Sequence, residues 1–289
     1  MATATETAKT ANDALSIKDY ASALAGFQQA LTEAEACGEE GEELVATCKS
    51  VIPTIMLNIA KNAIKESKFD DGLATLADAI KTAGEYGAED VVAEATTLVG
   101  QAKKAKANAF VKAKDYANAI AAYKEVLEAD PTDGASALQM GAALNATGDT
   151  AGAIAAFEQA MANGQESTAK KQLANIYLKD GQALLKEKKF KEAIEACLKS
   201  AEYNPSANAY KLAASAATQS KDNTNAIAYY EKYLEVSPDA KDAPAITFTI
   251  AALYQQAGNK AKALENYKKV AADPTYGPQA KPQIDALSK

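Results

Sequence analysis

The chain contains no histidine, no tryptophan and no arginine, so all 31 of its basic residues are lysines. Without histidine, the commonest general base and metal ligand is missing. Without arginine there is no planar fork for bidentate carboxylate or phosphate recognition. Three cysteines, Cys37, Cys48 and Cys197, are too few for a disulfide framework. Cys37 and Cys48 flank a Gly-Glu-Glu-Gly turn and are read as free thiols, with a bridge between them as the alternative in an oxidising compartment. No apolar run approaches the roughly 20 residues of a membrane-spanning helix, so no membrane insertion is expected. A net charge of −7 gives no basic footprint for a nucleic-acid backbone. The start, Met1-Ala-Thr-Ala-Thr-Glu, has neither the basic nor the apolar region of a signal peptide. The expected compartment is the bacterial cytoplasm or, after signal removal, the periplasm.

Motifs that carry chemistry are also missing. There is no glycine-rich phosphate loop, nucleophile elbow or paired-cysteine metal motif. Glu39, Glu40, Glu42 and Glu43 are read as a solvated turn that favours a helix N-terminus. Asp130 with Asp133, and Asp222 with Asn223 and Asn225, lack the oxygen spacing of a calcium loop and read as turn and N-cap residues. No catalytic residue, metal or cofactor is expected, and the chain is not read as an enzyme.

What is present is alanine in amphipathic helices. In the stretch Asp115–Pro131, Ala119, Ile120, Tyr123, Val126 and Leu127 recur at three- and four-residue steps and share one helix face. The stretch repeats in variant form. A small residue followed by an aliphatic one occurs at Ala23-Leu24, Gly72-Leu73, Ala119-Ile120, Ala153-Ile154, Ala193-Ile194, Ala226-Ile227 and Ala263-Leu264, at spacings of 49, 47, 34, 40, 33 and 37. Four residues after each small residue stands Phe27, Leu76, Tyr123, Phe157, Cys197, Tyr230 or Tyr267. Twelve residues before it stands Ala11, Ala60, Ala107, Gly141, Gly181, Ala214 or Ala251. Such periodicity predicts hairpins of two antiparallel helices, A and B, whose small residues let the backbones approach and whose large residue fills the gap to the next hairpin. One hairpin cannot bury its apolar face alone, so hairpins must stack.

This pattern resembles the tetratricopeptide repeat along essentially the whole chain. Four B helices end before a proline, at Pro131, Pro205, Pro238 and Pro274. The large aromatic that the family places early in helix A is mostly missing, with Tyr210 its nearest match. The resemblance implies an all-α fold, a right-handed superhelix of about seven helix hairpins plus a C-terminal capping helix. A single solenoid over 1–289 is expected: N-terminal units with extended helices over 1–100, regular repeats over 101–274, and the cap over 275–289. Excess length at Glu39–Ile52, Ala88–Gly100 and Glu166–Leu173 predicts longer helices, and Pro53 is expected to kink or interrupt the second A helix.

In that family the A helices line a concave, peptide-binding face. Carried over in helical phase, its candidates here are Lys61, Lys65, Lys104, Asn108, Lys112, Gln139, Asn145, Asn175, Lys179, Gln182, Lys186, Asn208, Lys211, Gln219 and Gln255. Amides both donate and accept, which suits extended peptide backbone, and lysines favour acidic groups. Some co-chaperones of the family clamp a C-terminal carboxylate. Lys104 and Asn108 match the first pair of that clamp, while Gln139, Asn175 and Lys179 stand where Asn, Lys and Arg would be. The expected function is a protein- or peptide-binding scaffold. The alternative is a structural subunit, possibly a homo-oligomer, of a larger assembly such as a cell-envelope complex. Tyr229, Tyr230 and Tyr233 are assigned to packing between hairpins.

Overall fold

The computed structural model describes residues 1–289, entirely as helices, turns and bends with no β-strand. The chain divides into two units, Met1–Ala153 and Ile154–Lys289. The first holds the hairpins α1 (Ala2–Ser16) with α2 (Tyr20–Glu35), α3 (Glu42–Lys65) with α4 (Phe69–Tyr86), and α5 (Glu89–Lys112) with α6 (Tyr116–Ala129). It also holds α7 (Gly134–Thr147) and the start of α8 (Thr150–Ala162). The second unit continues with α9 (Glu166–Lys186) and α10 (Phe190–Tyr203), α11 (Ala207–Gln219) and α12 (Asn223–Val236), α13 (Ala243–Gln256) and α14 (Lys260–Lys269). It ends with α15 (Gly277–Leu287), which packs on α14. Odd-numbered helices through α13 are the A helices, and even-numbered ones are the B helices.

The small-residue pattern is the contact pattern. All seven small residues on the A helices and all seven on the B helices are buried. The residues four positions on, from Phe27 to Tyr267, are buried as well. Alanine brings little apolar area, but it lets helix axes close up, so each large side chain between hairpins is fully used. Gly181 shows how tight this is: a Cβ there would lie 2.6 Å from Sγ of Cys197 on the facing helix.

Each hairpin turn uses one device. The A helix ends in a left-handed residue, which is Lys18, Ser67, Lys114, Gly148, Lys188, Lys221 or Gly258. The next residue donates its N–H five residues back, as Asp115 does to the Phe110 carbonyl at 2.9 Å. That is the Schellman geometry, which satisfies carbonyls a helix end leaves orphaned. The same residue then caps the B helix: Asp19, Asp115, Asp149, Asp222 and Asn259 accept the N–H three residues on.

The extra sequence in the early repeats is helical, with α3 and α5 both 24 residues long. Glu39 and its neighbours form a short 3₁₀ turn, Gly38–Gly41, ahead of α3. Of the two outcomes expected at Pro53, a kink or an interruption, the interruption does not occur: α3 runs through it. It sits fully buried, and the surrounding Ile52, Ile55 and Leu57 hold the helix through the missing hydrogen bond. A second correction concerns length and apolarity. The segment Gly38–Lys65 is long and apolar enough to cross a membrane by length and composition. Its apolar character matches its place in this unit, where it packs on both α2 and α4.

Candidate functional site

The A-helix candidates separate into residues already engaged within the chain and residues left free. In the first unit Lys61 on α3 pairs with Glu94 on α5 at 2.6 Å. Lys104 on α5 pairs at 2.6 Å with Asp133, the N-cap residue of α7. Burial of Asp133 works to raise its carboxyl pKa, but hydrogen bonds from Lys104 and Ser136 outweigh that and hold it below the ordinary value. Asn108 is engaged too, because its Oδ1 accepts the Tyr123 hydroxyl at 2.6 Å. In the second unit Lys211 on α11 pairs with Asp242, the N-cap residue of α13, and Tyr233 donates to the other oxygen of the same carboxylate. That bond to Asp242, followed by burial, pushes the Tyr233 hydroxyl up to about 12. Gln255 accepts from Tyr267 at 2.8 Å and donates to Gln283 of α15 at 3.1 Å.

Three lysines expected on an open face are therefore ties from one A helix to the next. Their acids lie 33, 29 and 31 residues later, close to one repeat length. That spacing was the available signal, and a search of the lysines alone misses it.

The remaining candidates, Gln219 apart, have no side-chain partner in the chain. Lys65, Lys112, Gln139 and Asn145 are free and exposed in the first unit. Asn175, Lys179, Lys186 and Asn208 are exposed and Gln182 half-buried in the second. Gln219 reaches only Ser215 of its own helix, at 3.3 Å. Lys65, Lys112 and Lys186 each occupy the last turn of an A helix, where a cation complements the helix dipole. Each unit thus keeps its own set of unengaged amides and lysines on A helices.

The other clusters are structural. Asp130 accepts from the Thr132 N–H and hydroxyl, and Asp222 caps α12. No cluster of acidic or cysteine side chains has the arrangement of a metal site. Cys37, Cys48 and Cys197 are free thiols. Tyr230 and Tyr233 are buried in the stack, whereas Tyr229 lines a cleft. Tyr177, four residues before Gly181, holds the early A-helix aromatic position alongside Tyr210, and sequence inspection passed it over.

The repeat is recognised independently. The tetratricopeptide repeat matches residues 110–176 and again residues 178–244. Solved structures that match part of the chain include MamA, at 24% identity over 57% of this chain and 91% of that one, with a TM-score of 0.33. A MamA fragment from Desulfovibrio magneticus RS-1 is 19% identical over 59% of this chain and 92% of that one, at 0.32. YrrB, described as a TPR protein with an unusual peptide-binding site, is 19% identical over 63% of this chain and 91% of that one, at 0.33. Comparison with curated proteins gives no match.

Proposed function

We propose that this tetratricopeptide-repeat protein is a non-catalytic scaffold that captures a peptide or protein segment on its A helices. The supporting observation is the set of A-helix amides and lysines that no residue of the chain engages. Asn145, Asn175 and Asn208 offer paired donor and acceptor to peptide backbone, and Lys112, Lys179 and Lys186 offer charge to acidic side chains. Many modest contacts on a preformed surface give useful affinity because little ordering is needed on binding. The carboxylate clamp is not part of the proposal, because Lys104 is neutralised by Asp133 and one face of Asn108 is taken by Tyr123.

The test is affinity capture from native lysate with the wild type and with Asn175→Ala plus Asn208→Ala, two exposed amides that the chain leaves unengaged, each checked for retained helicity and read by mass spectrometry. Loss of specific partners in the variant is the expected result. Identical partner sets overturn the A-helix reading.

One observation favours a second reading, self-association. Met1–Ala153 carries 13 lysines against 23 carboxylates, and Ile154–Lys289 carries 18 against 15. The opposite signs suit contact between the acidic unit of one copy and the basic unit of another, a heterologous contact. Sedimentation at low and high salt distinguishes the two readings: a larger species that dissociates as salt screens charge supports self-association.

A further inference from the structure

Three successive repeats of the second unit present the same four positions with different occupants. In the fifth repeat these are Tyr177 on α9, Lys199 and Tyr203 on α10, and Glu158 on α8. They stand four residues before Gly181, six and ten after Ala193, and five after Ala153. The Tyr177 and Tyr203 rings stack with centroids 5.8 Å apart and planes 6° apart. Lys199 Nζ lies 4.9 Å from the Tyr177 centroid. The Tyr203 hydroxyl donates to Glu158 at 3.3 Å. The slot beside Tyr177 is filled by the chain's own ring, with the polar end of that ring satisfied.

The same register in the sixth repeat gives Tyr210, Lys232, Val236 and Leu198. The flat ring that covers Tyr177 has no counterpart, because valine stands in its place and is 43% exposed. A cleft of about 410 Å³ lies beside Tyr210, lined by Leu198, Tyr210, Ala228, Tyr229, Glu231, Lys232 and Glu235, the last being the neighbour of Val236 in the chain. Lys232 is held by Glu235 at 2.7 Å. In the seventh repeat the positions become Thr247, Lys269, Asp273 and Glu231, so threonine replaces the tyrosine floor. The cleft is smaller there, about 230 Å³, and Glu231, Lys262, Glu265 and Lys269 line it together with Tyr254.

We propose that the sixth-repeat cleft is a docking site for a phenylalanine-type ring presented by a partner protein, stacked on Tyr210 as Tyr203 stacks on Tyr177. The chain supplies its own template for the occupant: same floor, same lysine, and a missing lid of aromatic shape. The choice of phenyl over phenol follows from Leu198. It stands where Glu158 accepts the Tyr203 hydroxyl, and the two acids that line the cleft are already engaged, Glu231 by the Tyr254 hydroxyl at 2.9 Å and Glu235 by Lys232, so an entering phenol would bring its hydroxyl against a leucine instead of a free acceptor. A second copy of this chain is a poor source of the ring, because none of its Phe or Tyr residues is exposed. The cleft lies between α10, α11 and α12 and shares none of its lining residues with the A-helix candidates, so it stands or falls separately from them.

The test uses N-acetylphenylalaninamide, N-acetyltyrosinamide and N-acetylleucinamide as probes of the full chain, with binding read by NMR chemical-shift titration. The phenylalanine probe is expected to bind with a dissociation constant on the order of millimolar, as suits a fragment of its size. The tyrosine and leucine probes are expected to bind at least fivefold more weakly. Val236→Tyr restores the internal lid and abolishes binding, while the helical circular-dichroism signal is retained. Leu198→Glu installs the missing acceptor and reverses the preference toward the tyrosine probe. The proposal is overturned if the leucine probe binds as well as the phenylalanine probe, if Val236→Tyr leaves binding intact, or if Leu198→Glu fails to shift the preference. A concentration-dependent dimer that Val236→Tyr dissociates also overturns it, by putting a second copy in the cleft.

Discussion

Replacing Gly181 by alanine tests whether close approach of small residues organises the stack. The added Cβ would stand 2.6 Å from Sγ of Cys197, closer than real Cβ contacts come. Cys197 cannot swing clear, because it is 1% exposed and packed between helices. Overpacking of this kind costs about 1–3 kcal/mol, and replacing a mid-helix glycine by alanine returns about 1 kcal/mol. Gly181→Ala is therefore expected to lose roughly 1 kcal/mol, within a range from near zero to 2. In a Cys197→Ala background the offending sulfur is gone, and the nearest remaining protein atoms include the Ala193 carbonyl oxygen at 3.3 Å. There the same substitution becomes neutral or stabilising by up to about 1 kcal/mol, even though Cys197→Ala alone destabilises by opening a void. The double-mutant coupling is then about 1–3 kcal/mol. Urea unfolding followed by circular dichroism gives the midpoints. If Gly181→Ala costs the same in both backgrounds, within about 0.5 kcal/mol, the close-approach account is wrong.

Three further outcomes follow from the turns, caps and thiols. Lys114→Gly relieves a left-handed lysine at φ 59°. The gain should be roughly 0.5–1 kcal/mol after the entropy cost of glycine, a rise of about 2–4 °C per kcal/mol in a melting experiment. Asp133 is held below its ordinary value of 3.8 in the fold, so its contribution is present above that value and lost as pH falls through the lower folded value. Acid unfolding should therefore show a shallower loss below pH ~4 in Asp133→Asn, which keeps the cap but cannot titrate, and an unchanged slope refutes the assignment. Burial pushes the Cys197 thiol up to about 11 and raises that of Cys48, while Cys37 is the most accessible of the three. A thiol reagent at pH 8 should label Cys37 rapidly and the other two only after unfolding, and fast labelling of two or three thiols contradicts the packing.

Scaffold and surface differ in how far the sequence reveals them. The scaffold rests on residues that must be small or large at fixed offsets, and a run of seven Ala or Gly residues on each helix type makes those offsets visible. Hairpin turns were legible where Asp or Asn follows the left-handed residue, as at Asp115. They were hidden at Lys68 and Lys189, which follow such a residue yet lend no side chain to the cap. The continuity of α3 through Pro53 was not legible, because a lone proline weakens a helix by a local term, whereas burial on both sides acts along the full length of α3. The surface was less legible for a different reason. A lysine in sequence carries no sign of whether an acid one repeat away will meet it. Lys104 and Lys112 sit on the same helix, and only the first finds a carboxylate.

The same logic explains why the most specific feature of the second unit is a departure from the repeat. Where positions recur, each repeat serves as the reference for its neighbours. Tyr177 and Tyr210 are equivalent by position, so the difference between them isolates what changed around them, namely Tyr203 to Val236 and Glu158 to Leu198. Both changes act in one direction: the first uncovers an aromatic face and the second removes the acceptor that would suit a hydroxyl. A drift of unrelated surface residues has no reason to couple them. Packing of the repeat does not require either change, because Ala214, Ala226 and Tyr230 of the sixth repeat are buried as their equivalents are in the fifth. The scaffold is indifferent to the lid, so the lid is free to answer to a ligand.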